Sequence, residues 1–330
     1  MSRRLTGFTP SGDLHLGNLI GAVRPIVEAQ RHAAEPADTV IFVSDLHALT
    51  LEHDPATVRR RTLEFAKLLL AAGTDPDRCV FLVQSHVPQH AEIHYLLECV
   101  TGYGEAQRMI QFKEKSAKQQ QVRMSLLTYP ILMAGDILLY DTDEVPVGED
   151  QKQHVELARD VAGRFNSRYG ETFTPPRVVN PPVAARLKDL ASPEDKMSKS
   201  SATAAGVLLL LDDENTLRRK VMRAVTDTGD EVLYDPAAKP GVSNLLDILA
   251  ACTGGDPREL SGRFDRYGEL KTAVADAVVA TIAPIRKQYD ELGAHDDHVR
   301  TVLRRGSARA REIAGAKVNA VKGALGLLEP

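Results

Sequence analysis

Two short apolar runs, Val40-Ile41-Phe42-Val43 and Val80-Phe81-Leu82-Val83, constrain this chain more than any other feature. Neither alternates with polar residues, and each ends in polar ones, Ser44-Asp45 and Gln84-Ser85. Parallel strands covered on both faces read this way. Between them the pattern predicts a helix over 56–72, with Asp54 as N-cap, Pro55 in the first turn and Gly73 after the last. Strand, helix and strand at this spacing form a βαβ unit, so the expected fold is α/β, a doubly wound parallel sheet of Rossmann-like type. A first strand is expected near 5–8, and helical pattern recurs over 17–34, 91–101 and 150–168.

The pattern changes after about Ser201. Apart from Val207–Leu211 no buried-strand run follows, and helices are expected over 214–225, 244–251, 264–291 and 299–325, the third interrupted by Pro284. Pro175-Pro176 and Pro181-Pro182 mark irregular chain before that point. The expected division is an α/β domain at 1–200 and an all-helical domain at 201–330, with the last helix available to pack back on the first domain.

Charge and cysteine usage narrow the function classes. Lys+Arg number 41 against 45 Asp+Glu, a net charge of -4 over 330 residues, which excludes a histone-like binder and a charge-driven disordered chain. Residues 201–330 carry 18 Lys+Arg against 19 Asp+Glu, so bulk charge gives no support to nucleic-acid binding, and no DNA partner is expected. Cys79, Cys99 and Cys252 form no CxxC pair, which points to a reducing compartment and away from a cysteine zinc site. Residues 1–8 lack the apolar core of a signal peptide, and no apolar run approaches membrane-spanning length. The expectation is a cytoplasmic protein without membrane attachment.

Four stretches carry chemistry. In Thr9-Pro10-Ser11-Gly12-Asp13-Leu14-His15-Leu16-Gly17-Asn18 a probable strand passes through a turn into a helix. Free N–H groups at a helix start suit a phosphate, His15 adds a donor, and Gly17 allows close approach. A capped tight turn explains this stretch equally well. It is no ordinary P-loop, because Asn18-Leu19 replaces Lys-Ser/Thr, and no GxGxxG occurs. In Lys196-Met197-Ser198-Lys199-Ser200 two lysines and small hydroxyls make a cationic clamp suited to nucleotide phosphates, although alone it reads as a solvated linker. Asp136 is the lone carboxylate of the apolar Leu127–Tyr140 run. Such a carboxylate needs a partner, which an indole N–H or a phenol O–H could supply. Burial alone points first to a helix N-cap or a core carboxylate satisfied by backbone. Val145–His154 reads as a strand ending at Gly148 and a helix opening at Asp150, again a site at the carboxyl end of a sheet.

The first two stretches together, 180 residues apart, resemble the paired signature motifs of class I aminoacyl-tRNA synthetases. Ser44–Ala48, Gln111–Ser116, Leu127–Tyr140, Val147–His154, Asp195–Ser200 and Lys239–Leu246 further resemble the bacterial-type tryptophanyl-tRNA synthetase family, over nearly the whole chain. The resemblance implies activation of L-tryptophan by ATP, with Mg²⁺ as the nucleotide's counter-ion, and transfer to tRNA(Trp) by a homodimer whose helical domain reads the anticodon. It places His15 and Asn18 at the α- and β-phosphates, and Lys196 and Lys199 on the leaving pyrophosphate. Lys115 adds a cation from a mobile segment. Thr9, Pro10, Ser11, Gly17, Gly148, Glu149, Asp150, Leu187, Met197, Ser198 and Ser200 complete the nucleotide site. Asp136 accepts the indole N–H. Leu5, Met133, Val145 and Val147 form apolar walls, and Tyr129, His47 and Gln151 lie near the ammonium or carboxylate. Family members commonly have glutamine in place of Thr9 and an aromatic in place of Leu5. A tyrosine-specific ligase and a non-catalytic RNA-binding paralogue are the alternatives.

Other features fit plainer readings. His86, His90 and His94 sit four apart, but Pro88 interrupts them and no third ligand is fixed, so no protein-held metal is expected. Arg59-Arg60-Arg61 and the arginines of 304–311 read as solvated helix faces.

Overall fold

A computed structural model gives the structure, and the residues it describes are 2–117, 119, 121–148, 151–179, 187–198 and 204–328. Among them, β1 (Arg4–Phe8), β2 (Thr39–Val43), β3 (Val80–Val83), β4 (Glu144–Pro146) and β5 (Arg177–Val179) form one sheet in the order β3-β2-β1-β4-β5. Every pairing is parallel. The helices are α1 (Leu16–Asn18), α2 (Arg24–His32), α3 (Asp45–Ala48), α4 (Pro55–Ala71), α5 (Gln89–Glu98), α6 (Tyr103–Arg108), α7 (Ile110–Ser116), α8 (Met124–Leu138), α9 (Lys152–Tyr169), α10 (Glu214–Met222), α11 (Pro240–Thr253), α12 (Pro257–Ser261), α13 (Tyr267–Gly293) and α14 (Asp296–Ala324).

The two apolar runs are β2 and β3, and every residue of both is buried. α4 connects them, with the Asp54 carboxylate accepting from the Thr57 N–H at 2.7 Å. Successive strand residues face opposite ways. Phe8, Ile41, Val43, Phe81 and Val83 enter a core that continues into α10, α11 and α13. Leu5, Val40, Phe42, Val80 and Leu82 enter a second core shared with α5, α8, α9 and α14. Chain order runs outward from β1 through β2 to β3, then returns to the other side through β4 and β5. The order therefore reverses between β1 and β4, and the crevice beyond their carboxyl ends is where such sheets bind ligands.

Several expectations need correction. The helix expected over 17–34 is α1 and α2 joined by a π turn at Leu19–Val23, where the Arg24 N–H donates to the Leu19 carbonyl. Pro25 follows directly; it has no N–H and its ring crowds the carbonyl four residues back, so the register widens. Pro284 does not interrupt α13, which runs unbroken through it. Its ring lies on the exposed side, and packing against α4, α10 and α11 outweighs the lost hydrogen bond. Val207–Leu211 is no strand: it contributes one antiparallel bridge, Leu209 to His15. The three-residue edge strand β5, between two proline pairs, was read as irregular chain.

α14 lies along β3, the edge strand, and against α5. Its backbone approaches so closely at Gly306 that a Cβ there would run into the Phe81 carbonyl oxygen. No helix among the described residues is long and apolar enough to cross a membrane.

Candidate active site

The site lies where the carboxyl ends of β1, β2, β3 and β4 open. Thr9 leaves β1, and its hydroxyl meets that of Ser44, just past β2, at 3.0 Å. Ser11 N–H turns back to the Thr9 carbonyl at 2.8 Å, with Pro10 buried and Ser11 exposed. His15 is the N-cap of α1, and its backbone N–H donates to the Asn18 side-chain oxygen at 3.1 Å. Gly17 is fixed by the same group: a Cβ there would lie 3.1 Å from the His15 ring. Residues 14–16 pair antiparallel with 208–210, Leu16 N–H donating to the Leu208 carbonyl at 2.8 Å and Leu210 N–H to the Leu14 carbonyl at 2.9 Å.

That pairing ties the early turn to the segment that follows the late motif. Lys196 stands in a small antiparallel hairpin opposite Lys188, held by Met197 N–H to the Leu187 carbonyl and Asp189 N–H to the Asp195 carbonyl, both 3.0 Å. Leu187 and Met197 are buried in the same core as Phe8, Leu14, Leu16 and Leu208, while Lys196 is exposed and Ser198 partly so. Gly148 is exposed beyond β4, and its carbonyl accepts from Gln151 N–H at 3.0 Å. Glu149, Asp150, Lys199 and Ser200 lie outside the described residues.

The residues expected to hold an aromatic amino acid gather on the other face of the sheet. Asp136 sits in the interior of α8, 1% exposed. Neither of the simpler readings of this carboxylate holds, because it is no N-cap and its partners are side chains from three other segments. Oδ1 accepts from Gln84 Nε2 at 2.8 Å and lies 2.6 Å from His90 Nδ1. Oδ2 accepts from Gln84 Nε2 at 3.0 Å and lies 2.8 Å from His47 Nε2. Burial opposes ionisation, but the hydrogen bonds and charge of His47 and His90 outweigh it and hold the carboxyl down at about 2. Gln84 is oriented by the Leu46 N–H, which donates to its oxygen at 3.2 Å. His90 is oriented by the Tyr140 hydroxyl, 2.8 Å from Nε2.

Beside this network Tyr129 meets the His47 ring edge-on at 6.2 Å, and its hydroxyl lies 3.1 Å from His154 Nε2. Burial, reinforced by Glu114, pushes the phenol up to about 12, so it remains protonated. Lys115, in α7, lies 5.1 Å over the Tyr129 ring. Leu5 and Val145 are buried in the core around Asp136, with Met133 and Val147 packed against it.

Sequence reasoning missed Gln84, Tyr140, His154 and Ser44 as site residues and weighed His90 only as a metal ligand. One usable signal existed for Gln84 and Ser44: each is the first polar residue past a buried parallel strand. His90 has both ring nitrogens occupied, and His94 pairs with Glu98 at 3.0 Å, so these two serve separate purposes. Among the described residues no three His, Cys, Asp or Glu side chains gather as a metal site.

The carboxyl ends of the strands thus carry the His15 turn on one side, a buried ionised acceptor on the other, and the Thr9–Ser44 contact between them. Comparisons with known proteins identify the family. The family described as tRNA synthetases class I (W and Y) matches residues 1–283. The tryptophan–tRNA ligase 1 of Streptomyces avermitilis is 54% identical, with all of both chains covered, and the tryptophan–tRNA ligase 2 of the same organism is 45% identical over 99% of this chain and 97% of its own. The crystal structure of tryptophanyl-tRNA synthetase from Mycoplasma pneumoniae superposes with a TM-score of 0.91 at 34% identity, covering 99% of this chain and 98% of that one. The Campylobacter jejuni enzyme complexed with ADP and tryptophan gives 0.84 at 34%, covering 98% and 100%. The chain belongs to the class I tRNA synthetases of the tryptophan and tyrosine family.

Proposed function

We propose that this protein is a tryptophan–tRNA ligase. A carboxylate oxygen of tryptophan attacks the α-phosphorus of ATP, the bond to the bridging oxygen breaks, and pyrophosphate leaves. The terminal ribose hydroxyl of tRNA(Trp) then attacks the carbonyl of the adenylate, an ester forms, its proton is released and AMP departs. Neither step requires a covalent enzyme intermediate, so positioning and charge stabilisation carry the catalysis. His15 and Asn18 serve the α/β-phosphate region, and Lys196 with Lys199 takes the charge of the pyrophosphate. Thr9, Pro10, Ser11, Gly17, Gly148, Glu149, Asp150, Leu187, Met197, Ser198 and Ser200 line the nucleotide site. Magnesium enters on ATP and belongs to the substrate. Asp136 accepts the indole N–H, among Leu5, Met133, Val145 and Val147, with Tyr129, His47 and Gln151 toward the ammonium and carboxylate and Lys115 nearby. Residues 1–200 form the catalytic unit. Residues 201–330 receive the tRNA, and the enzyme acts as a cytoplasmic homodimer.

One observation supports this reading above the others. Leu14 and Leu16 beside His15, and Leu187 and Met197 of the Lys196 hairpin, contribute to one core on one face of the sheet, and the ionised Asp136 is buried on the other. The test is amino-acid-dependent ATP–pyrophosphate exchange. Tryptophan should support exchange and tyrosine and phenylalanine should not. Exchange with tyrosine alone makes the protein a tyrosine ligase, and exchange with no amino acid overturns the enzymatic reading.

A further inference from the structure

The extended segment 187–190, which carries Leu187 and faces Lys196, has its backbone hydrogen bonds distributed among separate parts of the fold. Leu187 carbonyl accepts from Met197 N–H, and Asp189 N–H donates to Asp195. Leu190 N–H donates to Gly206, and its carbonyl accepts from Val225 N–H at 2.8 Å. Lys188 is the residue directly opposite Lys196, and the hairpin bonds flank it, so its own N–H and carbonyl point away from the hairpin. Both are taken by one side chain. Lys188 N–H donates to Asn244 Oδ1 at 2.8 Å, and Asn244 Nδ2 donates to the Lys188 carbonyl at 3.0 Å. Asn244 is 2% exposed and sits on α11, in the helical part of the chain.

The asparagine amide therefore does what a neighbouring strand would do: it presents one donor and one acceptor at the outer edge of 187–189. From this geometry we infer that Asn244 is a positioning residue for ATP, fixing Lys188, and through it Lys196, against α11. It touches no substrate. The backbone of the phosphate-holding hairpin is thereby referred to the helical unit rather than to a sheet strand, and a displacement of α11 is transmitted to Lys196. This inference rests on the assignment of Lys196 to the phosphates of ATP.

An isosteric replacement by leucine or a truncation to alanine removes the Asn244 partner from both the N–H and the carbonyl of the half-buried Lys188, a defect centred on this segment. Exchange kinetics of Asn244→Ala should show a KM for ATP raised about tenfold, the equivalent of losing one or two ordinary hydrogen bonds, with the KM for tryptophan unchanged. Asn244→Gln, which keeps both functions on a longer arm, should recover part of the loss. Asn244→Asp, which keeps only the acceptor, should resemble alanine. In the double variant with Lys196→Ala the two effects should overlap rather than add. Ser243→Ala, a buried neighbour on α11 that does not touch Lys188, is the control and should leave both KM values in place. A folded Asn244→Ala enzyme with unchanged KM for ATP overturns the inference, as does an equal rise in both KM values. If alanine does not fold, the comparison of glutamine with aspartate decides in the same way. Failure of the wild-type protein to exchange pyrophosphate at all is a separate result, and it removes the functional reading instead.

Discussion

Asp136→Asn is the perturbation that most directly probes the amino-acid site. The change is isosteric, so no cavity forms, but one carboxylate oxygen becomes an N–H₂ group. Asp136 is buried with Gln84, His90 and His47 all bonded to it. Gln84 is locked with its N–H₂ toward Asp136, because its oxygen is held by the Leu46 N–H. The remaining amide oxygen should stay on the Gln84 and His90 side, which turns the new N–H₂ toward His47 and the ligand. An indole N–H then meets a donor instead of a charged acceptor. Hydrogen bonds to charged groups contribute about 1.5–3 kcal/mol and an unmatched buried donor costs a similar amount, so tryptophan binding should weaken by about 2–4 kcal/mol, roughly 30- to 1000-fold. The chain contains no tryptophan. The protein therefore adds no indole background, and the change in the amino acid's own fluorescence on binding can be followed by titration. Pyrophosphate exchange gives the matching rise in KM for tryptophan, with the KM for ATP little changed. Wild-type tryptophan affinity in a folded Asp136→Asn protein would refute the indole assignment.

Three further outcomes follow from the same geometry. Gly17→Ala places a methyl 3.1 Å from the His15 ring, which must give way slightly; with His15 in the proposed phosphate-donor role, exchange kcat should fall about 10- to 100-fold, as for loss of one well-placed donor, with tryptophan binding by fluorescence unchanged. Gly306→Ala drives a Cβ into the Phe81 carbonyl and should lift α14 from β3, lowering urea-unfolding stability by about 1–3 kcal/mol, whereas Gly323→Ala, with open space around it, should not. Asp136 has its carboxyl held below the ordinary 3.8, at about 2. A depressed carboxyl contributes stability above its unfolded pKa and loses it as pH falls through the folded one. The wild type should therefore exceed Asp136→Asn by about 2 kcal/mol above pH 4, with the gap closing toward pH 2 in urea midpoints.

Much of this was written in local pattern. Short unbroken β-branched runs that end in polar residues fit covered parallel strands, and Asp54, Pro55 and Gly73 bracket a helix by rules that act within one turn. The Thr9–Asn18 turn and the Lys196 segment stood out as candidate phosphate binders because backbone N–H groups and lysines carry that chemistry wherever they stand. Three-residue strands such as β4 and β5 have too few residues to show a period, and their pairing with β1 and with each other depends on distant chain. The fate of Pro284 was likewise undecidable locally, since a lost hydrogen bond is outweighed only by packing that the sequence does not display.

What the sequence alone determined is the class of fold and the identity of the chemical groups, because propensity, capping and donor type are properties of short stretches. What only the tertiary structure decided is which groups meet. Gln84, His90 and His47 come from three separate segments to surround one carboxylate, and Asn244 reaches across 56 residues to Lys188. Burial strips water from such groups, so each must find a protein partner, and that demand is settled by the packing of the whole chain rather than by any part of it.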